Sequence, residues 1–338
     1  MSEYAAQPLH FATVNGVRLA YREVGRNTKG REGVPVVFLH GWPELSYSWR
    51  HQLKALEAAG VWAIAPDQRG YGASDRPEAV EAYDMAHLTG DLVALLDHLG
   101  AKKAVFVGHD WGGIVLWQLG LMHKDRCAGL IGLNTPFMPR IPVDPISVMR
   151  ARMGEEMYIV HFQKPGEADA ILDSRTRMVF DMFMRRPMPG APTAAGFASE
   201  RTGEASVFPL VRMVEAYDPA LDPRQTFLTP EEFGVFVETF QRTGFTGGIN
   251  WYRNFTRNWR ASEGLPTRIE GVPSLMICAE RDDVLPPSAA AHMGDYVSDL
   301  ETVVVEGSGH WTQQEKPDQV NRLILDWLDR RFPFLKGE

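Results

Sequence analysis

A carboxylate stands at the centre of AVFVGHDWGGIVLW, residues 104–117. Ala104 to Val107 is a short run of β-branched and aromatic residues that suits a buried parallel strand. Gly108, Gly112 and Gly113 cluster behind it, and Ile114 to Leu121 reads as an apolar helix. Strand, glycine-flanked turn and helix form the setting of a nucleophile elbow, G-x-Nuc-x-G. Here it is written Gly108-His109-Asp110-Trp111-Gly112. The glycines let the helix approach the strand, and the central residue takes a strained turn that pushes its side chain outward. Asp110 is therefore the candidate nucleophile.

Its partners are sought at other strand ends, because active groups in open α/β sheets collect outside the carboxyl ends of the strands. VVFLHGWPE ends in His40-Gly41-Trp42-Pro43-Glu44, LMICAERDD in Arg281, Asp282 and Asp283, and TVVVEGSGHW in His310. Nucleophile, acid and histidine follow in the chain order of an α/β-hydrolase triad. A histidine near neutral pKa takes a proton from water, while a carboxylate fixes its tautomer and stabilises the imidazolium. Spacing alone leaves Asp282 and Asp283 both open as the acid. His109 reads as packing beside the nucleophile, and His40 as a hydrogen-bonding residue of its turn. An oxyanion hole would come from the backbone N–H groups of Trp111 and Trp42. Pro43 stiffens that loop, and Trp42–Pro43 is a candidate cis peptide.

The elements that must position these groups alternate. FATVNGVRLAYREVG is a hairpin signal around Asn15-Gly16. Residues 34–41 and 61–75 are strands running into glycine turns, and 85–100 is an amphipathic helix ending in Gly100 as a C-cap. Residues 129–136 form one more strand, stopped by Pro136. Strands alternating with helices imply an α/β fold with a mostly parallel sheet flanked by helices. From Phe137 to about Pro266 the pattern changes to helical segments, many Met and aromatic residues, and loops such as RRPMPGAPTAAG (185–196). Strands resume at 272–280 and 300–310, and a last helix begins at Pro317. The expected organisation is a core of residues 1–136 and 267–338, interrupted by a helical cap over 137–266.

Bulk properties exclude several classes. The 338 residues are 44% hydrophobic and 23% charged, as in ordinary globular chains. A net charge of -8 with dispersed basic residues argues against a nucleic-acid binder. The two cysteines, Cys127 and Cys278, sit in apolar runs and read as free thiols. No metal-type Cys/His spacing is present. The N-terminus lacks a basic n-region and an apolar h-region, and no apolar run would span a bilayer. The expectation is a cytoplasmic protein with no metal and no organic cofactor.

HGWPE, DQRGYGASD, GHDWGG, LNTPFMP, AERDDVLPP and GSGHWTQQEKP together resemble the soluble epoxide hydrolases of the α/β-hydrolase fold. So do MYIVHFQKPG and GFTGGINWYRNFTRNW in the insertion. The match runs from about residue 10 to the last helix. GHDWGG alone is weak, since haloalkane dehalogenases carry a similar elbow, and the cap segments discriminate. The resemblance implies two cap tyrosines that hydrogen-bond the epoxide oxygen. One precedes the F-Q-x-P-G segment and matches Tyr158; the other is the tyrosine of N-W-Y-R-N, Tyr252. It also places the triad acid on Asp282 rather than Asp283. His161 is a further candidate donor.

This resemblance gives the aspartate a chemical reason. An epoxide has no carbonyl, and its electrophile is a saturated carbon. A carboxylate is an already ionised nucleophile for backside displacement. The resulting ester supplies a carbonyl for water to attack. The implied partners are a small apolar epoxide and water, with no nucleic acid, and a homodimer stays open. Two rival functions remain: a haloalkane dehalogenase using the same Asp–His–Asp chemistry, and a non-catalytic ligand-binding protein on the same fold.

Overall fold

The computed structural model describes residues 8–26, 33–188 and 208–335. Most of the Pro/Gly-rich loop expected at 185–196, and the start of the N-terminal stretch read for a leader, lie outside these. The chain divides into two compact units. The first holds residues up to Arg76, Met85–Pro139 and the stretch from Gly264 onward.

The first unit is built on one eight-stranded sheet in the order β1-β2-β4-β3-β5-β6-β7-β8. Its strands are β1 (Leu9–Val14), β2 (Val17–Val24), β3 (Val36–Leu39), β4 (Ala63–Asp67), β5 (Ala104–His109), β6 (Cys127–Leu133), β7 (Ser274–Ala279) and β8 (Leu300–Val305). β2 runs antiparallel to β1 and β4, and every pairing from β4 to β8 is parallel. Asn15 and Gly16 both take positive φ (47° and 77°), as the two-residue turn of the hairpin requires. β3, β4, β5 and β7 are buried at every residue. Such strands are covered on both faces, which explains their unbroken apolar runs. The helix Trp111–Met122 follows β5, and Pro317–Arg331 ends the core with Val320, Ile324, Trp327 and Leu328 buried. Gly112 lies so close to β3 that a Cβ there would collide with the Leu39 carbonyl. β6 ends at Leu133, short of Pro136, because Asn134 turns into the left-handed region (φ 61°).

The second unit comprises Pro77–Asp84 and Arg140–Glu263. Pro77–Asp84, which composition leaves in the first part of the core, packs with the insertion: the Asn254 amide donates to the Val80 carbonyl at 2.7 Å. The insertion is helical, with Arg185 and Thr226 forming an isolated bridge. Phe180, Phe236, Phe240 and Phe245 form its aromatic centre. The helix Pro230–Thr243 begins with Thr229 and Glu232 capping each other's backbone N–H groups, the sequence signature T-x-x-E. No helix among the described residues is long and apolar enough to cross a membrane.

Candidate active site

Asp110 follows β5 with φ 52° and ψ -121°, a conformation L-residues rarely take. Three contacts hold it there. Its carbonyl accepts from the N–H groups of Gly113 (2.9 Å) and Ile114 (3.2 Å), and from the Thr135 hydroxyl (2.9 Å). Gly41 passes so near that a Cβ would overlap the Asp110 side chain. That close approach lets the Trp42 N–H donate to Asp110 Oδ1 at 2.7 Å. The Trp111 N–H also hydrogen-bonds this carboxylate. The Trp42–Pro43 bond is cis.

His310 brings its Nε2 to 3.8 Å from Asp110 Oδ2 and its Nδ1 to 2.8 Å from Asp282 Oδ2. Asp282 is thus the carboxylate beside His310, and Asp283 is exposed. Asp282 is buried, and four donors surround its carboxylate. Oδ1 accepts from the N–H groups of Val284 (2.9 Å) and Leu285 (3.0 Å), and Oδ2 from His310 and from the Asn134 amide (2.7 Å).

The electrostatics follow from burial and these pairs. Burial opposes charge on Asp282, but His310 and the hydrogen-bond donors outweigh it and hold its carboxyl well below the usual range. Burial likewise opposes a charged His310, yet Asp282, then Asp110 and Glu44, push the imidazole up to about 9. On Asp110 burial wins: its carboxyl lies above the ordinary value despite His310, His109 and the two N–H groups.

Four further residues carry the geometry. His109, expected only to pack, is fully buried and uses both ring nitrogens: Nδ1 on Glu44 Oε2 and Nε2 on the His310 carbonyl, each at 2.7 Å. The His310 carbonyl can only accept, so Nε2 donates to it. Glu44 also accepts the Gly41 N–H (2.8 Å) and Gln313 Nε2 (2.9 Å), which ties the Trp42 loop to the His310 loop. Burial opposes its charge too, and His109 overrides it to keep the carboxyl below the ordinary value. Breaking a buried pair of this kind costs about 3–5 kcal/mol. Glu315 clamps the other side of the loop, accepting the N–H groups of Gly309 and Trp311 at 3.0 Å each. His40 donates from Nδ1 to the Gly41 carbonyl (2.9 Å) and accepts the Gln68 N–H at Nε2 (3.0 Å). Glu315 had a local signal, a carboxylate four residues past Trp311. The Glu44–His109 pair had none.

Tyr158 and Tyr252 lie together in the second unit, their rings 5.6 Å apart at 73°. Gln163 Nε2 donates to the Tyr252 carbonyl (2.9 Å) and the Ile159 carbonyl (2.8 Å). Arg253 pairs with Asp169 at 2.5 Å and donates to the Phe162 carbonyl at 2.9 Å. These bonds join the F-Q-x-P-G segment to the N-W-Y-R-N helix, Thr246–Arg253. His161 faces Glu167 at 3.0 Å.

A strained acidic elbow facing a histidine–carboxylate pair, on this sheet, is the arrangement of an α/β hydrolase. The profile of the alpha/beta hydrolase fold matches residues 34–317. The chain is 44% identical over 317 residues to epoxide hydrolase A of Mycobacterium tuberculosis, covering 93% of this chain and 95% of that one. It is 39% identical to the mouse bifunctional epoxide hydrolase 2, of which it spans 54%. The crystal structure of epoxide hydrolase A from Mycobacterium thermoresistibile superposes with a TM-score of 0.82 at 42% identity, covering 95% of this chain and 98% of that one. The chain belongs to the epoxide hydrolases of the α/β-hydrolase fold.

Proposed function

We propose that this protein converts an apolar epoxide and water to a vicinal diol through an ester on Asp110. The observation that carries this reading is the division of labour between the two carboxylate oxygens. Oδ1 is engaged by the Trp42 N–H, while Oδ2 faces His310 across 3.8 Å. Oδ2 is the oxygen with a lone pair to give. Its attack on a ring carbon forms the ester bond and breaks the carbon–oxygen bond. The electron pair leaves on the epoxide oxygen, which takes a proton from Tyr158 or Tyr252. Donors aimed at an oxygen where charge develops act selectively on the transition state. In this reading the second unit serves as the cap.

In the second step His310, oriented by Asp282, takes a proton from water. The hydroxide adds to the ester carbonyl, and the charge falls on Oδ1, already held by the Trp42 N–H, with the Trp111 N–H beside the same carboxylate. Collapse breaks the bond to Oδ2, which takes the proton held by His310 and leaves as a hydroxyl of the diol, while the carboxyl proton left on Asp110 restores the tyrosine. The water oxygen stays on Asp110.

The test is turnover of an aryl epoxide in heavy-oxygen water, with the Asp110 peptide weighed afterwards. Diol with label in that peptide is expected. Diol without label there would mean direct water attack. Halide release from haloalkanes without diol from epoxides would favour the dehalogenase instead.

A further inference from the structure

Asn134 is the residue at which the acid loop, the base loop and the central sheet meet. It follows β6 with φ 61°, a conformation that Asn and Asp tolerate better than other side chains and that Gly adopts freely. Its side chain is 2% exposed, and all its polar atoms are engaged. Nδ2 donates to Asp282 Oδ2 at 2.7 Å and to the His310 carbonyl at 3.1 Å. Oδ1 accepts the Thr312 hydroxyl at 2.8 Å. The Thr312 bond fixes which end of the amide faces Asp282, because a flipped amide would set oxygen against carboxylate.

We propose that Asn134 is a positioning residue of ester hydrolysis: its amide aligns the Asp282 carboxylate with His310 Nδ1 and holds the His310 main chain, so that Nε2 faces Asp110. This deepens the ester reading and rests on it. The alternative is a purely structural tie between loops. The two differ electrostatically. Asn134 touches the same carboxylate oxygen that receives His310 Nδ1, so exchanging its donor for a negative charge must alter the histidine's titration. The other groups facing His310 are Asp282, Asp110, Glu44 and His109, and Cys278 lies near Asp282.

Asn134→Asp preserves volume and tolerates the same backbone. In the free protein, without substrate, the His310 ring titration followed by NMR should rise at least one unit above the native midpoint. An unchanged midpoint overturns the inference. In single-turnover mixing with an aryl epoxide, ester formation should stay within twofold of native. Ester hydrolysis should slow at least tenfold at pH 7 and recover as pH rises. A loss equal at every pH means a structural tie only. Should the aspartate variant fail to fold, Asn134→Gly keeps the left-handed backbone without strain. Its ester should still form and hydrolyse at least tenfold more slowly, and native-like hydrolysis overturns the inference. If the native protein forms no ester, the proposed function fails, while the titration still tests the link between Asn134 and His310.

Discussion

Under the proposed ester mechanism His310 has to change character, and the geometry gives the size of the change. With Asp282 and Asp110 both charged, the imidazole sits at about 9 and is protonated at neutral pH. Ester formation removes the charge on Asp110. At 3.8 Å and an effective permittivity of about 20, one unit charge pair is worth about 4 kcal/mol. At about 1.4 kcal/mol per unit, that is up to about three pH units. In that proposed mechanism alkylation returns His310 to the range of a neutral base when a base is needed. Asp110→Asn reproduces the loss of charge without substrate. The midpoint of the His310 ring in an NMR titration should fall by two units or more between native protein and variant. A difference below half a unit would refute the idea that Asp110 sets the protonation of its own base.

Asp110→Ala should abolish diol formation and leave no adduct by intact-mass measurement, whereas His310→Gln should still alkylate and then stall with one substrate mass added. Tyr252→Phe should slow ester formation about a hundredfold, the usual effect of removing one donor to a developing oxyanion, with the melting temperature unchanged. Stability should depend on pH with opposite signs at two sites. The depressed Asp282 contributes stability that is present above its unfolded value near 4 and lost as pH falls. The raised His310 contributes stability that is full below its unfolded value near 6.5 and lost as pH rises through about 9. Urea unfolding should therefore give a maximum between about pH 4 and 6.5, and Asp282→Asn should weaken both dependences.

The sequence by itself determined the elements and the order of the candidate site residues along the chain. Alternation and apolar runs report which local face is buried, and the Asn15-Gly16 turn, the β5 elbow and the Gly100 cap are set within a few residues. Motif resemblance located Tyr158 and Tyr252 in the insertion and named Asp282. What the tertiary structure decided lies in contacts between distant residues. The 2.8 Å bond from Asp282 to His310 spans 28 positions, Glu44 to His109 spans 65, and Asn134 to the His310 carbonyl spans 176. Periodicity carries no record of such pairs, so His109 read as packing and Asn134 only as part of the strand expected over 129–136. The placement of Pro77–Asp84 with the second unit was hidden for the same reason, since it rests on main-chain groups such as the Val80 carbonyl that every residue possesses. Residue types and spacing can specify which chemistry a chain carries. The protonation and aim of its groups are set by burial and by hydrogen bonds that exist only once the loops have met.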